Sequence, residues 1–148
     1  MPELPEVETV RRYLEQMLLK PKPKKIKSVH LHFPKIIKAM EATTFIDNLM
    51  GQTFTNIDRY GKHLMLKLNS HTIISHLRMT GSYAWNSQPK DLRKHDHIEF
   101  RMTDGSQLVY SDIRKFSTMH LVKKGTEYTH STIKCLGPEA TNPDTFNS

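Results

Sequence analysis

The sequence has almost no cysteine: Cys135 stands alone among 148 residues. That excludes an intramolecular disulfide and any cysteine-rich zinc site built within the chain. Long apolar runs are missing too, and none approaches the length of a membrane-spanning helix. The N-terminus carries Glu3 and Glu6 where a secretory leader would carry positive charge and an apolar stretch. There is no internal repeat and no low-complexity domain. Acidic residues are the minority charge, 15 Asp and Glu against 22 Lys and Arg, for a net charge of +7. With a pI near 9.5, that excess points to a polyanionic partner, most simply nucleic acid. The expectation is a soluble intracellular protein of one domain, large enough to bury a core.

What is present falls into two kinds of pattern. Leu4, Val7, Val10, Leu14, Met17 and Leu18 recur at helical spacing, which predicts an amphipathic helix over residues 5–19, with Arg11, Arg12, Glu15 and Gln16 on its polar side. The run Lys20-Pro21-Lys22-Pro23-Lys24-Lys25 ends it, because proline cannot continue the hydrogen-bond ladder. Beyond it the period shifts towards two. Strands are predicted at 26–31, 53–59, 63–68, 72–78, 97–102, 107–110 and 118–122. A short helix is predicted over 41–50, with Gly51 as its C′ residue. Asp104-Gly105 between two strands signals a hairpin. The fold class that follows is α+β: a β-sandwich or flattened barrel of short antiparallel strands flanked by an N-terminal helix and a second short helix. Residues 136–148 are turn-rich, lack periodicity and read as the start of a linker.

The chemistry begins at the N-terminus, Met1-Pro2-Glu3-Leu4-Pro5-Glu6. Once Met1 is removed, Pro2 presents a secondary amine that can attack an electrophilic carbon and form an iminium ion. Glu3 is close enough in sequence to move the proton that such chemistry requires. The structural alternative is ordinary: proline suits a helix start, and acids in a first turn suit the helix dipole.

Five segments in order then resemble one family: residues 2–12, Arg59-Tyr60-Gly61-Lys62, Ser75-His76-Leu77-Arg78-Met79, Lys94-His95-Asp96-His97 and Asp112-Ile113-Arg114-Lys115-Phe116, closing with Leu136-Gly137-Pro138-Glu139. The chain resembles the N-terminal catalytic domain of bacterial formamidopyrimidine-DNA glycosylase. The resemblance implies a bifunctional glycosylase and abasic-site lyase of base-excision repair. Its substrates would be 8-oxoguanine and formamidopyrimidines in duplex DNA, processed through a Schiff base on Pro2 and then β,δ-elimination.

The resemblance also implies roles residue by residue. Pro2 is the nucleophile, Glu3 the general acid and base, and Lys62 the proton donor for the first elimination. Glu6 supports the site, or alternatively only caps the helix dipole. Met79, Arg114 and Phe116 fill the gap left by the extruded base, as apolar wedges and an arginine facing the orphaned partner. Taken singly, Met79 and Phe116 would read as core residues. His76, His95 and Lys115 contact phosphates, which position the duplex without reading its sequence. His95 and His97 lie two apart and invite a metal reading, but no clear third ligand accompanies them, and no metal site is expected in this chain.

By the same resemblance, residues 1–135 are the catalytic domain and 136–148 begin a linker to a helix–two-turn–helix and zinc-finger domain. That second domain would carry one structural zinc, and this chain no cofactor. The partner is damaged double-stranded DNA, with no membrane partner; the protein is expected to be a monomer in the bacterial cytoplasm, with the chromosome. Ser117 stands where the family often has Gly, and Tyr60 where Arg is frequent. Two alternatives stay open: the endonuclease VIII type, which takes oxidised pyrimidines but typically has Gly where this chain has Leu4, and a non-catalytic basic DNA-binding module of the same fold.

Overall fold

The structure, a computed structural model, describes residues 4–78, 80–115 and 117–126. Helix α1 (Leu4–Leu19) comes first. Its buried residues Val7, Leu14 and Leu18 share one stripe, and it stops before Lys20-Pro21. Helix α2 (Ala42–Leu49) buries Phe45 and Leu49, and Gly51 follows at φ 86°, where only glycine sits without strain. A single 3₁₀ turn at Pro34–Ile36 precedes it.

Eight strands make two antiparallel sheets. They are β1 (Ile26–Leu31), β2 (Phe54–Tyr60), β3 (His63–Leu68), β4 (His71–His76), β5 (Gly81–Asn86), β6 (Asp96–Met102), β7 (Gln107–Asp112) and β8 (Thr118–Lys123). One sheet has the order β1-β6-β7-β5 and the other β2-β3-β4-β8. The sheets face each other across a core in which Ile57, Leu64, Leu66 and Ile73 of one meet Ile98, Phe100 and Leu108 of the other. Period-two alternation makes this possible, since every second side chain points inward. Helix α1 packs along β2, and α2 packs along β1. A second, smaller cluster of Tyr60, Met65 and Ile74 occupies the opposite face of the β2-β3-β4-β8 sheet.

The α+β sandwich with two flanking helices agrees with the sequence expectation, and the departures are local. Strand β5 was not expected: Gly-Ser-Tyr-Ala-Trp-Asn has turn-like composition at both ends, and it is a strand because it pairs with β7 over its whole length. The segment 72–78 was expected to stay extended, yet β4 ends at His76. Arg78 takes φ 57°, a left-handed conformation that breaks the ladder and sends the chain to the other sheet. Strand β7 runs on to Asp112 rather than stopping at Tyr110, because Gly81 of β5 supplies a partner there.

Candidate functional site

Register shows which segments share one end of the sandwich. Tyr60 faces His63, His63 faces His76, and His76 faces Thr118. In the other sheet Gly81 faces Asp112, and Asp96 faces Ser111. The β2–β3 turn, the β4–β5 crossing at 77–80, the approach to β6 at 93–95 and the β7–β8 crossing at 113–117 therefore meet at one rim. Both crossings pass from one sheet to the other, so this end is where the sheets are tied together.

The start of α1 is anchored to that rim by charge. Glu8 Oε1 accepts from Arg59 Nε at 3.0 Å, and the Arg59 side chain is only 3% exposed. Arg59 also donates to the Gly61 carbonyl at 3.3 Å, beside Lys62. Arg11 donates to both Glu8 oxygens and to the Ile57 carbonyl, while Arg12 donates to Glu8 Oε2 at 3.0 Å. Hydrogen bonds from Arg11 first, and from Arg59 and Arg12, hold the Glu8 carboxyl down at about 2 against the opposing effect of burial. The first turn of α1, which carries Glu6 exposed to solvent, is thereby locked next to the Gly61-Lys62 turn.

Histidines sit directly behind this turn. His63 and His76 pack edge to face, with ring centroids 4.6 Å apart at 80°. The Arg78 amide donates to His76 Nδ1 at 3.1 Å, so that nitrogen carries no proton and the neutral ring keeps its hydrogen on Nε2. Burial, then the charges of Arg78 and Lys62, lower His76 to about 4. Burial, then His76, Arg78 and His120, lower His63 to about 4. At neutral pH His76 is thus an uncharged donor set among cations. An N–H of that kind can bond a phosphate oxygen without the like-charge repulsion an imidazolium would meet here.

The rim carries its cations on loops of unusual backbone. Arg78, Arg114 and Lys115 are exposed. Arg78 and Lys115 both have left-handed φ, 57° and 60°, which costs a non-glycine residue roughly 1–2 kcal/mol. Strain of this kind persists only where surrounding contacts impose it. The imposing contacts converge on Asp112, 1% exposed at the end of β7. It accepts from the Thr80 hydroxyl, the Arg114 amide at 3.1 Å, and the Ser117 amide and hydroxyl at 2.8 and 2.6 Å. Burial pushes its pKa up, but these donors outweigh burial and leave it lowered. Lys115 Nζ lies 4.8 Å from the centre of the Phe33 ring.

Lys62, His76, Arg114 and Lys115 share the rim, and Glu6 lies in the helix turn anchored beside it. His95 is half-buried on the approach to β6, its carbonyl accepting from the Asp112 amide at 3.1 Å. Pro2, Glu3, Met79 and Phe116 lie outside the described residues, as do Cys135 and the linker 136–148. Met79 and Phe116 are flanked by the left-handed Arg78 and Lys115. His95 and His97 do not form a pair: His97 is buried in β6 with Nε2 2.6 Å from the Asp112 carbonyl oxygen, and His95 precedes the strand. Among the described residues no group of three or more His, Cys, Asp or Glu could hold a metal ion.

Sequence reading missed Arg59, Glu8, His63 and Asp112 as site-building residues. The Glu8-Arg11-Arg12 spacing was a legible helix-surface pattern. Nothing local announced that Arg59, far along the chain, would complete it.

Two packed antiparallel sheets, a charge-anchored helix start and a cation-rich rim define a small α+β sandwich domain. Residues 1–119 match the model of the formamidopyrimidine-DNA glycosylase N-terminal domain. The chain belongs to that family. It is 46% identical over 146 residues to the formamidopyrimidine-DNA glycosylase of Enterococcus faecalis, covering 99% of this chain and 51% of that protein. It is likewise 46% identical to the enzyme of Bacillus anthracis, over 94% of this chain and 50% of that one. Among solved structures it resembles Lactococcus lactis formamidopyrimidine-DNA glycosylase bound non-covalently to DNA containing an AP site. The TM-score is 0.83 at 35% identity, covering 93% of this chain and 51% of that one. The chain thus spans about half the length of the curated relatives it matches.

Proposed function

We propose that this chain supplies the catalytic half of a DNA glycosylase and abasic-site lyase that removes oxidised purines from duplex DNA. The observation that carries the reading is the locked start of α1. The Glu8–Arg59–Gly61 contacts tether the start of α1 to the turn that bears Lys62, at the end of the molecule lined by His76, Arg78, Arg114 and Lys115. In this reading an amine nucleophile at Pro2, a proton donor at Lys62 and phosphate-binding cations serve one substrate. The match to relatives that carry the name of this activity supports the same reading.

In the proposed reaction the Pro2 nitrogen uses its lone pair to bond C1′ of the damaged nucleotide. The bond from C1′ to the base breaks, and the base leaves with the electron pair and takes up a proton. A reference α-amino pKa of about 8 leaves a useful fraction of such an amine unprotonated at neutral pH. The attached nitrogen loses its proton, and its lone pair then expels O4′, which takes a proton from Glu3, so the sugar ring opens to an iminium. This acidifies the C2′ hydrogens, so loss of one expels the 3′ phosphate, and a second elimination expels the 5′ phosphate. Glu3 exchanges protons with the sugar, and Lys62 serves the first elimination. His76, His95 and Lys115 hold phosphates. Arg114, with Met79 and Phe116, fills the space vacated by the base. We further propose that residues 1–135 form the catalytic domain, that 136–148 begin a linker, and that zinc belongs to a second domain as in the resemblance.

Borohydride reduction in the presence of 8-oxoguanine duplex should link the protein covalently to DNA, and Pro2→Gly should abolish the adduct while leaving binding to abasic-site DNA largely intact. The measurement belongs on the longest natural form of the protein. Binding without any adduct would leave a non-catalytic DNA-binding module. Adducts formed only with oxidised pyrimidines would assign the endonuclease VIII type.

A further inference from the structure

Asp112 takes no part in the proposed chemistry, yet three segments of the rim are fastened to it. Its carboxylate is a buried acid facing donors from two different loops. Oδ1 accepts from Thr80 Oγ1 and from the Arg114 amide at 3.1 Å. Oδ2 accepts from the Ser117 amide at 2.8 Å and the Ser117 hydroxyl at 2.6 Å. The Arg114 amide lies 3.3 Å from Thr80 Oγ1 as well, so the two loops also touch directly. The main chain of Asp112 holds a third segment through its amide, which donates to the His95 carbonyl at 3.1 Å.

The loop that Thr80 belongs to has little freedom of its own. The Gly81 amide closes it by donating to the Leu77 carbonyl at 2.9 Å. A Cβ on Gly81 would sit 2.3 Å from the Tyr110 hydroxyl and 2.6 Å from the Leu77 oxygen. Across the carboxylate, Ser117 follows the left-handed Lys115 and returns the chain to β8. Each loop is thus short, pinned at its base and joined to the other through one charged group. Hydrogen bonds to an ionised, buried acceptor are the strong ones, so motion of either loop must strain the other. The Ser117 hydroxyl is an extra donor that glycine, frequent at this position in the resembled family, would not provide.

We propose that Asp112 is a positioning residue that couples the loops 77–80 and 113–117 into one unit, with the Ser117 hydroxyl as an added latch, so that both loops enter DNA together. The coupling stands on the geometry alone. Its use, simultaneous filling of the gap behind an extruded base, rests on the function proposed above. Two separately mobile loops would each have to be ordered when the base leaves the stack, whereas a coupled pair arrives already arranged.

Amide hydrogen exchange tests the coupling without reference to activity. In Ser117→Gly the Gly81 amide, in the opposite loop, should exchange at least about ten-fold faster, and in Thr80→Ala the Ser117 amide should do the same. Amides of β1 and β6, away from the rim crossings, should stay within about two-fold of the wild type. Acceleration confined to the mutated loop overturns the coupling, and so does acceleration spread equally through β1 and β6. A second arm tests the use. Ser117→Gly should lower kcat for excision of 8-oxoguanine from duplex about ten-fold with a smaller change in KM, while borohydride trapping on DNA that already lacks the base changes less than about two-fold. Equal losses on both substrates overturn the gap-filling role. A wild-type protein that excises nothing and traps nothing overturns the proposed function instead, and the exchange result still decides the coupling.

Discussion

The Glu8 carboxylate receives three guanidinium groups, from Arg11, Arg12 and Arg59, and one of them is almost wholly buried. Removing the carboxylate would leave Arg59 charged and unsolvated, which costs far more than the pair contributes over water. The acid also sets a pH window. Its folded pKa of about 2 lies below the ordinary 4.5, so the stability it contributes is complete above pH 4.5 and is lost as pH falls through 2. Allowing for screening, that contribution is roughly 1–2 kcal/mol. Denaturation curves between pH 5 and pH 2 should therefore lose less stability for Glu8→Gln than for the wild type. Parallel curves would show that Glu8 is not a main source of acid lability. His63 and His76 act in the same direction: both are depressed from 6.5 to about 4, so the folded state loses ground as pH falls through that interval.

The elements of the rim differ in how they tolerate change. Strands β3 and β4 are buried on both faces, with the main core on one and Tyr60, Met65 and Ile74 on the other. The crossing between β4 and β5 is tighter still, because a side chain on Gly81 would meet the Leu77 backbone and the Tyr110 hydroxyl. Gly81→Ala forces a methyl group into occupied space, and overpacking of this kind costs about 1–3 kcal/mol. Thermal melting should register that loss, whereas Gly105→Ala, in the open Asp104-Gly105 hairpin, meets no atom and strains only its φ of 90°. A Gly81→Ala protein as stable as the wild type would mean that this crossing relaxes freely. The sequence had Met79-Thr80-Gly81 adjacent to a motif but carried no sign that glycine was required for packing. That requirement comes from Tyr110, a residue of a different strand.

At the scale of the molecule, exposed cations lie at both ends. Arg78, Arg114 and Lys115 crown the rim, while Lys20, Lys22, Lys25 and Lys27 lie exposed around the start of β1, which pairs with the far end of β6. If the rim is the DNA-binding end, only its cations release counterions on binding. Lys115→Ala should then reduce the slope of log affinity against log salt by about 0.9, the value for one phosphate contact. Lys27→Ala, of equal charge change but at the opposite end, should leave the slope as it was. Equal reductions from both substitutions would mean that the whole basic surface, rather than one end, meets the polyanion.

Much of this protein was legible from the chain alone, because local patterns specify local structure. Apolar spacing of 3–4 residues is a helix whichever neighbours it finds, and alternation is a strand. Thus α1, α2 and most strands follow from residues such as Val7, Leu14, Leu64 and Leu66. The family resemblance likewise rests on short runs of residues, and the matched family bears it out. Strand β5, the ends of β4 and β7, the Glu8–Arg59 anchor and the Asp112 clasp were decided only by tertiary structure. Each depends on a partner brought close by the sheets from a distant part of the chain. Contacts of that kind leave no period in the sequence; neither Arg59 nor Ser117 shows its partner until the fold places the Glu8 carboxylate beside one and the buried Asp112 carboxylate beside the other.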